Sequence, residues 1–268
     1  YIVVLILLVV TVSIAVLWVW WRNLNHSIPS PVQLTSREIP HVLVATYRDK
    51  KRIPSKVYDN WKTFAPNYTH VVFDDEEALR FLQSNSPPQV VDTFQSLRGA
   101  HKADLFRYCY LYQNGGVYVD IKTELIRDMD DMFKSRQHID LFTVLSKIPK
   151  TIYQGIIAAK PGQPIFLRLI DFMVKVPKIV RDRDYFIFTR DFYRALDEAS
   201  TTSPDAGEST FVQPGHASSS SSSVYLFQEI CTTTSGDCYG GLDRYNLCCY
   251  VYDKKERVFK TRYSDYPW

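Results

Sequence analysis

The hydrophobic pattern divides the chain into two unequal parts. Tyr1 to Trp21 (YIVVLILLVVTVSIAVLWVWW) carries no charge, and Thr11 and Ser13 are its only clearly polar members. As a helix rising 1.5 Å per residue it is about 30 Å long, the thickness of a bilayer core. Trp18, Trp20 and Trp21 followed by Arg22 suit a membrane–water interface. The run is too long for the apolar region of a cleaved signal peptide and lacks a small-x-small cleavage site. The pattern predicts a membrane-spanning signal anchor over 1–21 and a polar, proline-containing stem over 22–38. A domain over 39–268 then faces the lumen or the cell exterior.

Beyond the stem, short apolar runs alternate with helix-like stretches. HVLVAT (41–46) reads as a buried strand. A helix follows from near Pro54 through Trp61 and Phe64, and THVVFDD (69–75) is a second strand. Asp74 to Glu77 reads as a helix cap with an acidic first turn rather than a metal site. A helix over 99–113 stops at Asn114-Gly115-Gly116, and Val117 to Ile121 is a third strand. Strands at 140–145 and 155–159 and a helix at 164–176, ended by Pro177, complete the pattern. This alternation implies an α/β domain with a mainly parallel sheet and helices on both faces. Residues 200–223, with nine serines, read as a flexible insertion. The aromatic tail, with Tyr245, Tyr250, Tyr252, Phe259 and Trp268, is expected to pack back on the domain.

Composition sharpens this picture in two respects. With 32 Lys+Arg against 29 Asp+Glu and 46% hydrophobic residues, the chain is neither disordered nor strongly basic. Basic residues are scattered, so nucleic acid is excluded as a partner. Of five cysteines, Cys231, Cys238, Cys248 and Cys249 cluster near the end. They allow two disulfides in an oxidising compartment, in any of three pairings. Asn67-Tyr68-Thr69 is a glycosylation sequon, usable on the lumenal side.

The chemistry concentrates in residues 101–125, HKADLFRYCYLYQNGGVYVDIKTEL. Asp104 and Arg107 share a helix face. On the following strand Tyr118, Asp120 and Lys122 point one way, and Val117, Val119 and Ile121 the other. Asp120 falls at the strand's C-terminal end, where open α/β sheets bind ligands. A diphosphate leaving group needs its charge stabilised by a cation or by fixed basic groups. Arg107 offers a planar donor fork to phosphate or carboxylate. Read blandly, Asp104–Arg107 is a helix ion pair and Asp120 a turn residue. His101 reads as a helix-start residue and Cys109 as a core thiol.

The stretch resembles the sugar-binding region of family 32 glycosyltransferases, which include fungal Golgi mannosyltransferases. Their approximate pattern A-D-x-x-R-Y-x-x-L-Y-x-x-G-G-x-Y-x-D-x-D is met by Ala103, Asp104, Arg107, Tyr108, Leu111, Tyr112, Gly115, Gly116, Tyr118 and Asp120. The resemblance covers about residues 38–170. It implies a GT-A-like (Rossmann-like) fold and a retaining transfer of a hexosyl unit from a UDP- or GDP-sugar to a glycan or glycolipid acceptor. It implies a single-pass type II protein of the Golgi or another secretory-pathway membrane. It places Thr46, Asp104, Arg107, Tyr118 and Asp120 at the donor, with Asp104, Arg107, Asp120 and Lys122 as the catalytic set. A divalent cation, Mn2+ or Mg2+, would be held by Asp120.

Lys122 departs from the pattern by standing where the second aspartate belongs, which changes the local charge by +2. Three readings follow: Lys122 neutralises the diphosphate itself, Glu124 supplies the second metal ligand, or the protein is a weak sugar-nucleotide-binding scaffold. Arg190 and Asp191 are a second departure, replacing the Gly-Pro of a T-G-P turn.

Overall fold

The computed structural model describes residues 38–200, 203–212, 221–238, 241–242 and 246–267. The expected membrane helix, and the stem but for residue 38, lie outside these residues. Among the described residues no helix is long and apolar enough to cross a membrane.

The first half follows the predicted alternation. Strand β1 (Val42–Thr46) leads to helix α1 (Ser55–Phe64), β2 (Thr69–Phe73), α2 (Asp75–Asn85), α3 (Pro88–Ser96), α4 (Ala100–Asn114) and β3 (Gly116–Val119). Asp74 caps α2: its carboxylate accepts from the Glu77 amide (2.8 Å), and the Glu77 carboxylate accepts from the Asp74 amide (3.0 Å). The acidic quartet is thus a capping box at the positive end of a helix dipole. A short strand β4 (Glu124–Leu125) and helix α5 (Met129–Phe133) follow. Then come β5 (Leu141–Leu145), β6 (Ile152–Ala159), α6 (Pro164–Lys175), α7 (Lys178–Arg183) and α8 (Ile187–Ala199). The chain ends in β7 (Gly207–Val212), β8 (Ser221–Thr232), β9 (Cys248–Asp253) and β10 (Glu256–Lys260).

The strands form one sheet in the order β2-β1-β3-β6-β5-β8-β9-β10-β4, with β7 also paired to β8. Only β1–β2, β1–β3 and β5–β8 are parallel. The remaining pairs are antiparallel. The sheet is therefore mixed, not mainly parallel. Part of the reason lies after β3, where β5 leads to β6 and β9 to β10 through short connections without a crossover helix, and such connections impose antiparallel pairing. The serine-rich stretch is also corrected. Within it, β7 and the start of β8 pair from Gly207↔Leu226 to Val212↔Ser221. Backbone hydrogen bonds, which any residue type makes, recruit serines into the ladder. Residues 201–202 and 213–220 lie outside the described set.

Side chains alternate across the sheet into two cores. Val44, Tyr118 and Ile157 face α2, α3, α4, α6 and α8, whereas Leu43, Val117, Val119 and Ile156 face α1 and α5. Helices on both faces are as expected. Helix α4 is central: every residue from Asp104 to Tyr112 is buried. The tail packs back as predicted, with Tyr250 and Phe259 buried and Tyr252 partly buried, while Tyr245 and Trp268 lie outside the described residues. Its cysteines pair Cys231–Cys249 and Cys238–Cys248.

Glycine is required where α4 turns into β3. Gly115 has φ +65°, and a Cβ there would meet Pro161 Cδ at 2.7 Å and the Ala159 carbonyl at 2.8 Å. Gly115→Ala should cost about 1–3 kcal/mol, measured by urea denaturation. An unchanged midpoint would show that this turn relaxes freely.

Candidate active site

Strand β3 ends at Val119, so the strand face expected to continue to Glu124 is broken. Residues 120–123 form a turn closed by the Thr123 amide donating to the Asp120 carbonyl (2.8 Å). This turn keeps Lys122 beside Asp120, with Nζ 3.2 Å from Oδ2. It sends Glu124 into β4 opposite Lys260. Glu124 lies in the field of Lys260, Lys56 and Asp265, and burial raises its pKa despite the two lysines.

Arg107 sits at the centre of the cluster. It is 3% exposed. Its Nη2 lies 3.3 Å from both Asp104 Oδ1 and Asp120 Oδ1. Its Nε donates to the Ala103 carbonyl (3.1 Å) and Nη1 donates to the Gln154 carbonyl. The guanidinium plane stacks 4.2 Å from the Tyr118 ring centre. Tyr118 in turn donates to Asp120 Oδ1 (3.2 Å) and shares a hydrogen bond with Thr46 Oγ1 (3.0 Å). The structure thus brings together Thr46, Asp104, Arg107, Tyr118, Asp120 and Lys122, and leaves Glu124 outside.

The charges respond to this arrangement. Burial raises the Asp104 carboxyl pKa, although Arg107 opposes the shift. Burial works the same way on Asp120, but Lys122 and then Arg107 outweigh it and hold that carboxyl below the usual range. Burial also opposes the charge of Arg107 and of Lys122. Tyr118 with the two aspartates holds Arg107 protonated, and Asp120 with Tyr153 holds Lys122 protonated.

The cluster opens into a cleft of about 600 Å³ at the C-terminal ends of β1 and β3, lined by Thr46, Arg107, Tyr118, Asp120 and Lys122. Its rim includes Tyr47, Arg48, Arg52 and Lys102, and on the far side Tyr266 and Pro267. The tail reaches there because the Tyr263 amide donates to the Lys122 carbonyl (2.9 Å).

The donor set does not fit a divalent cation. Asp120 is matched by two cations, Asp104 faces Arg107 and Glu124 is elsewhere. Among the described residues, the metal-type grouping of at least three side chains is Glu229 with Cys231 and Cys249, and both cysteines are in a disulfide.

Gln154 was not legible in the sequence. Its amide fits with the nitrogen facing Asp104 Oδ1 (3.1 Å) and the oxygen accepting from the Thr189 amide (3.2 Å). It lies on β6, remote in sequence, and no local motif announces it. His101 packs against Tyr185 and Phe188 rather than entering the cleft. Burial pushes the Cys109 thiol up to about 12, as suits a core residue. Arg190 pairs with Asp184, and the buried Asp191 pairs with Arg194 and Arg168, so both departures are used in structural ion pairs.

Residues 54–139 match the model of the glycosyltransferase sugar-binding region containing a DXD motif. The match covers about a third of the chain, and over that stretch the chain is similar to this sugar-binding region. A mannosyl phosphorylinositol ceramide synthase of Saccharomyces cerevisiae is 28% identical over 144 residues, which are 53% of this chain and 36% of that protein. An initiation-specific alpha-1,6-mannosyltransferase of Candida albicans is 27% identical, over 39% of this chain and 29% of its own length. An uncharacterized glycosyltransferase of Acanthamoeba polyphaga mimivirus is 24% identical over 77% of this chain and 85% of its own. The chain spans about a third of the length of the two fungal relatives. Lys122 lies within the matched region.

The depressed Asp120 pKa has a testable sign. Its folded value lies below the unfolded one, so the stabilisation is complete above about pH 4 and is lost as pH falls through the depressed value. Urea denaturation should show wild type more stable than Asp120→Asn at neutral pH, with the gap closing below about pH 4. A constant gap would exclude the paired carboxylate.

Proposed function

We propose that the protein is a membrane-anchored glycosyltransferase of the secretory pathway, moving a hexosyl unit from a nucleotide sugar to a glycan or glycolipid acceptor. A GT-A-like arrangement with retention of configuration accompanies this reading. The single observation that carries it is Lys122, whose ammonium stands in the cleft 3.2 Å from Asp120. Asp104, Arg107 and Asp120 with a second aspartate would leave two net negative charges for a divalent ion to balance. With lysine in that place the four groups sum to zero. The substitution brings the charge of the missing ion into the protein itself.

In this mechanism Asp120 orients Lys122 and Arg107 from either side. The two cations face the donor diphosphate and stabilise the charge that develops as it leaves. Asp104, next to Arg107 and Gln154, offers hydrogen-bond acceptors for sugar hydroxyls. Thr46 and Tyr118 complete the wall of the donor site. Because the cations are already in place, little reorganisation accompanies bond cleavage.

The reading is tested by nucleotide release from UDP- and GDP-hexoses with manganese and with EDTA. Turnover should persist in EDTA and fall by about 100-fold or more in folded Lys122→Ala. Lys122→Asp should acquire manganese dependence. No binding and no turnover with any donor would sink the enzyme reading and leave a scaffold relative.

The lumenal placement is supported by the two disulfides and by the sequon. Asn67 and Thr69 are exposed at the turn between α1 and β2, at the opposite end of the strands from the cleft. In secretory expression the protein should lose mass on treatment with a peptide N-glycosidase, and Asn67→Gln should abolish that loss. An unglycosylated chain with reduced cysteines would place the domain in the cytosol instead.

A further inference from the structure

Four large apolar side chains stay exposed within one short segment: Ile179 (59%), Val180 (40%), Tyr185 (63%) and Phe186 (40%). They lie on α7 and the turn into α8. Isolated exposed apolar residues are ordinary, but a contiguous group marks an interaction surface. The same segment is basic. Lys178 is matched by Asp182 and Arg190 by Asp184. Arg98, Arg181 and Arg183 have no carboxylate within ion-pair distance among the described residues. They converge with His101 and Tyr185 on a hollow of about 270 Å³, to which Asp182 also contributes. Arg181 Nη2 donates to Ser96 Oγ (2.8 Å), which holds one guanidinium at the hollow's edge.

Asp182 lies in the field of Lys178, Arg181 and Arg98 together, so basic groups outnumber it, and aromatic and aliphatic side chains beside such an excess are what an anionic lipid surface recognises. The apolar groups enter the headgroup layer and the guanidinium groups meet phosphates. The sequence favours the bilayer as occupant: residues 22–38 span at most about 60 Å, so an anchor at 1–21 keeps this patch within reach of a membrane. The hollow and the cleft share the stretch 96–103 between them. Residues 96–98 and 101 face the hollow, whereas Gly99, Ala100, Lys102 and Ala103 face the cleft.

We infer that the 179–186 segment, with Arg98, Arg181 and Arg183, docks onto an anionic membrane surface. This deepens the membrane-bound reading above, and the test separates the two. The full chain is floated with phosphatidylcholine vesicles and with vesicles also containing phosphatidylserine, and amide hydrogen exchange is followed over 178–186. The anchor predicts flotation with both. Docking predicts exchange slowed about tenfold on the anionic vesicles alone, reversed by salt and by the exposed double substitution Arg181→Glu with Arg183→Glu. Equal exchange on the two vesicles overturns the docking surface while the anchor stands. Flotation only with anionic vesicles, lost in the double variant, upholds docking and overturns the anchor. Flotation with neither overturns both.

Discussion

The buried guanidinium of Arg107 is the constraint on which the rest of the site depends. A charge that is 3% exposed survives only if every side of it is answered. Here the answers come from three elements. Asp104 and the Ala103 carbonyl lie on the same helix, the Tyr118 ring comes from β3 and Asp120 from the turn that follows it, and the Gln154 carbonyl comes from β6. A satisfied cluster of this kind rigidifies its surroundings, because moving any member would strand a charge. It thereby fixes α4 against the sheet and fixes the rim of the cleft.

Lys122 then completes a balance that Arg107 begins. Asp120 is divided between two cations and is held ionised by both. The turn at 120–123 matters as much as the residue types. It leaves Lys122 at the cleft while sending Glu124 toward Lys260. The tail holds this turn from outside through Tyr263, so the C-terminal strands support the site without lining its centre. The disulfide Cys231–Cys249 ties β8 to β9 of that support, and Cys238–Cys248 ties the connection between them to β9.

Much of the local structure was legible. The glycine pair after α4 ended the helix where expected, because only φ > 0 reverses the chain there. Asp74 to Glu77 formed the cap that its spacing implied. Tyr118 faced away from Val117 and Val119, as strand alternation requires. What failed were inferences that extended a local pattern too far. Glu124 left the expected face because β3 stops at Val119, and a strand's end depends on its neighbours. Residues 207–212 and the serines 221–223 became strand because they offered each other partners, which composition does not report.

By itself, the sequence determined the alternating elements, the caps and turns, and the residue types from Asp104 to Lys122, since these depend on spacing and chemistry along the backbone. It also determined the unusual charge at position 122. Tertiary structure alone decided the mixed strand order, the cysteine pairing among three possibilities, and the arrival of Gln154, Tyr153 and Tyr266 around the cluster. Those residues are separated from Asp120 by long stretches of chain. They meet it only because burying two apolar faces of one sheet leaves few ways for β6 and the C-terminal strands to pack.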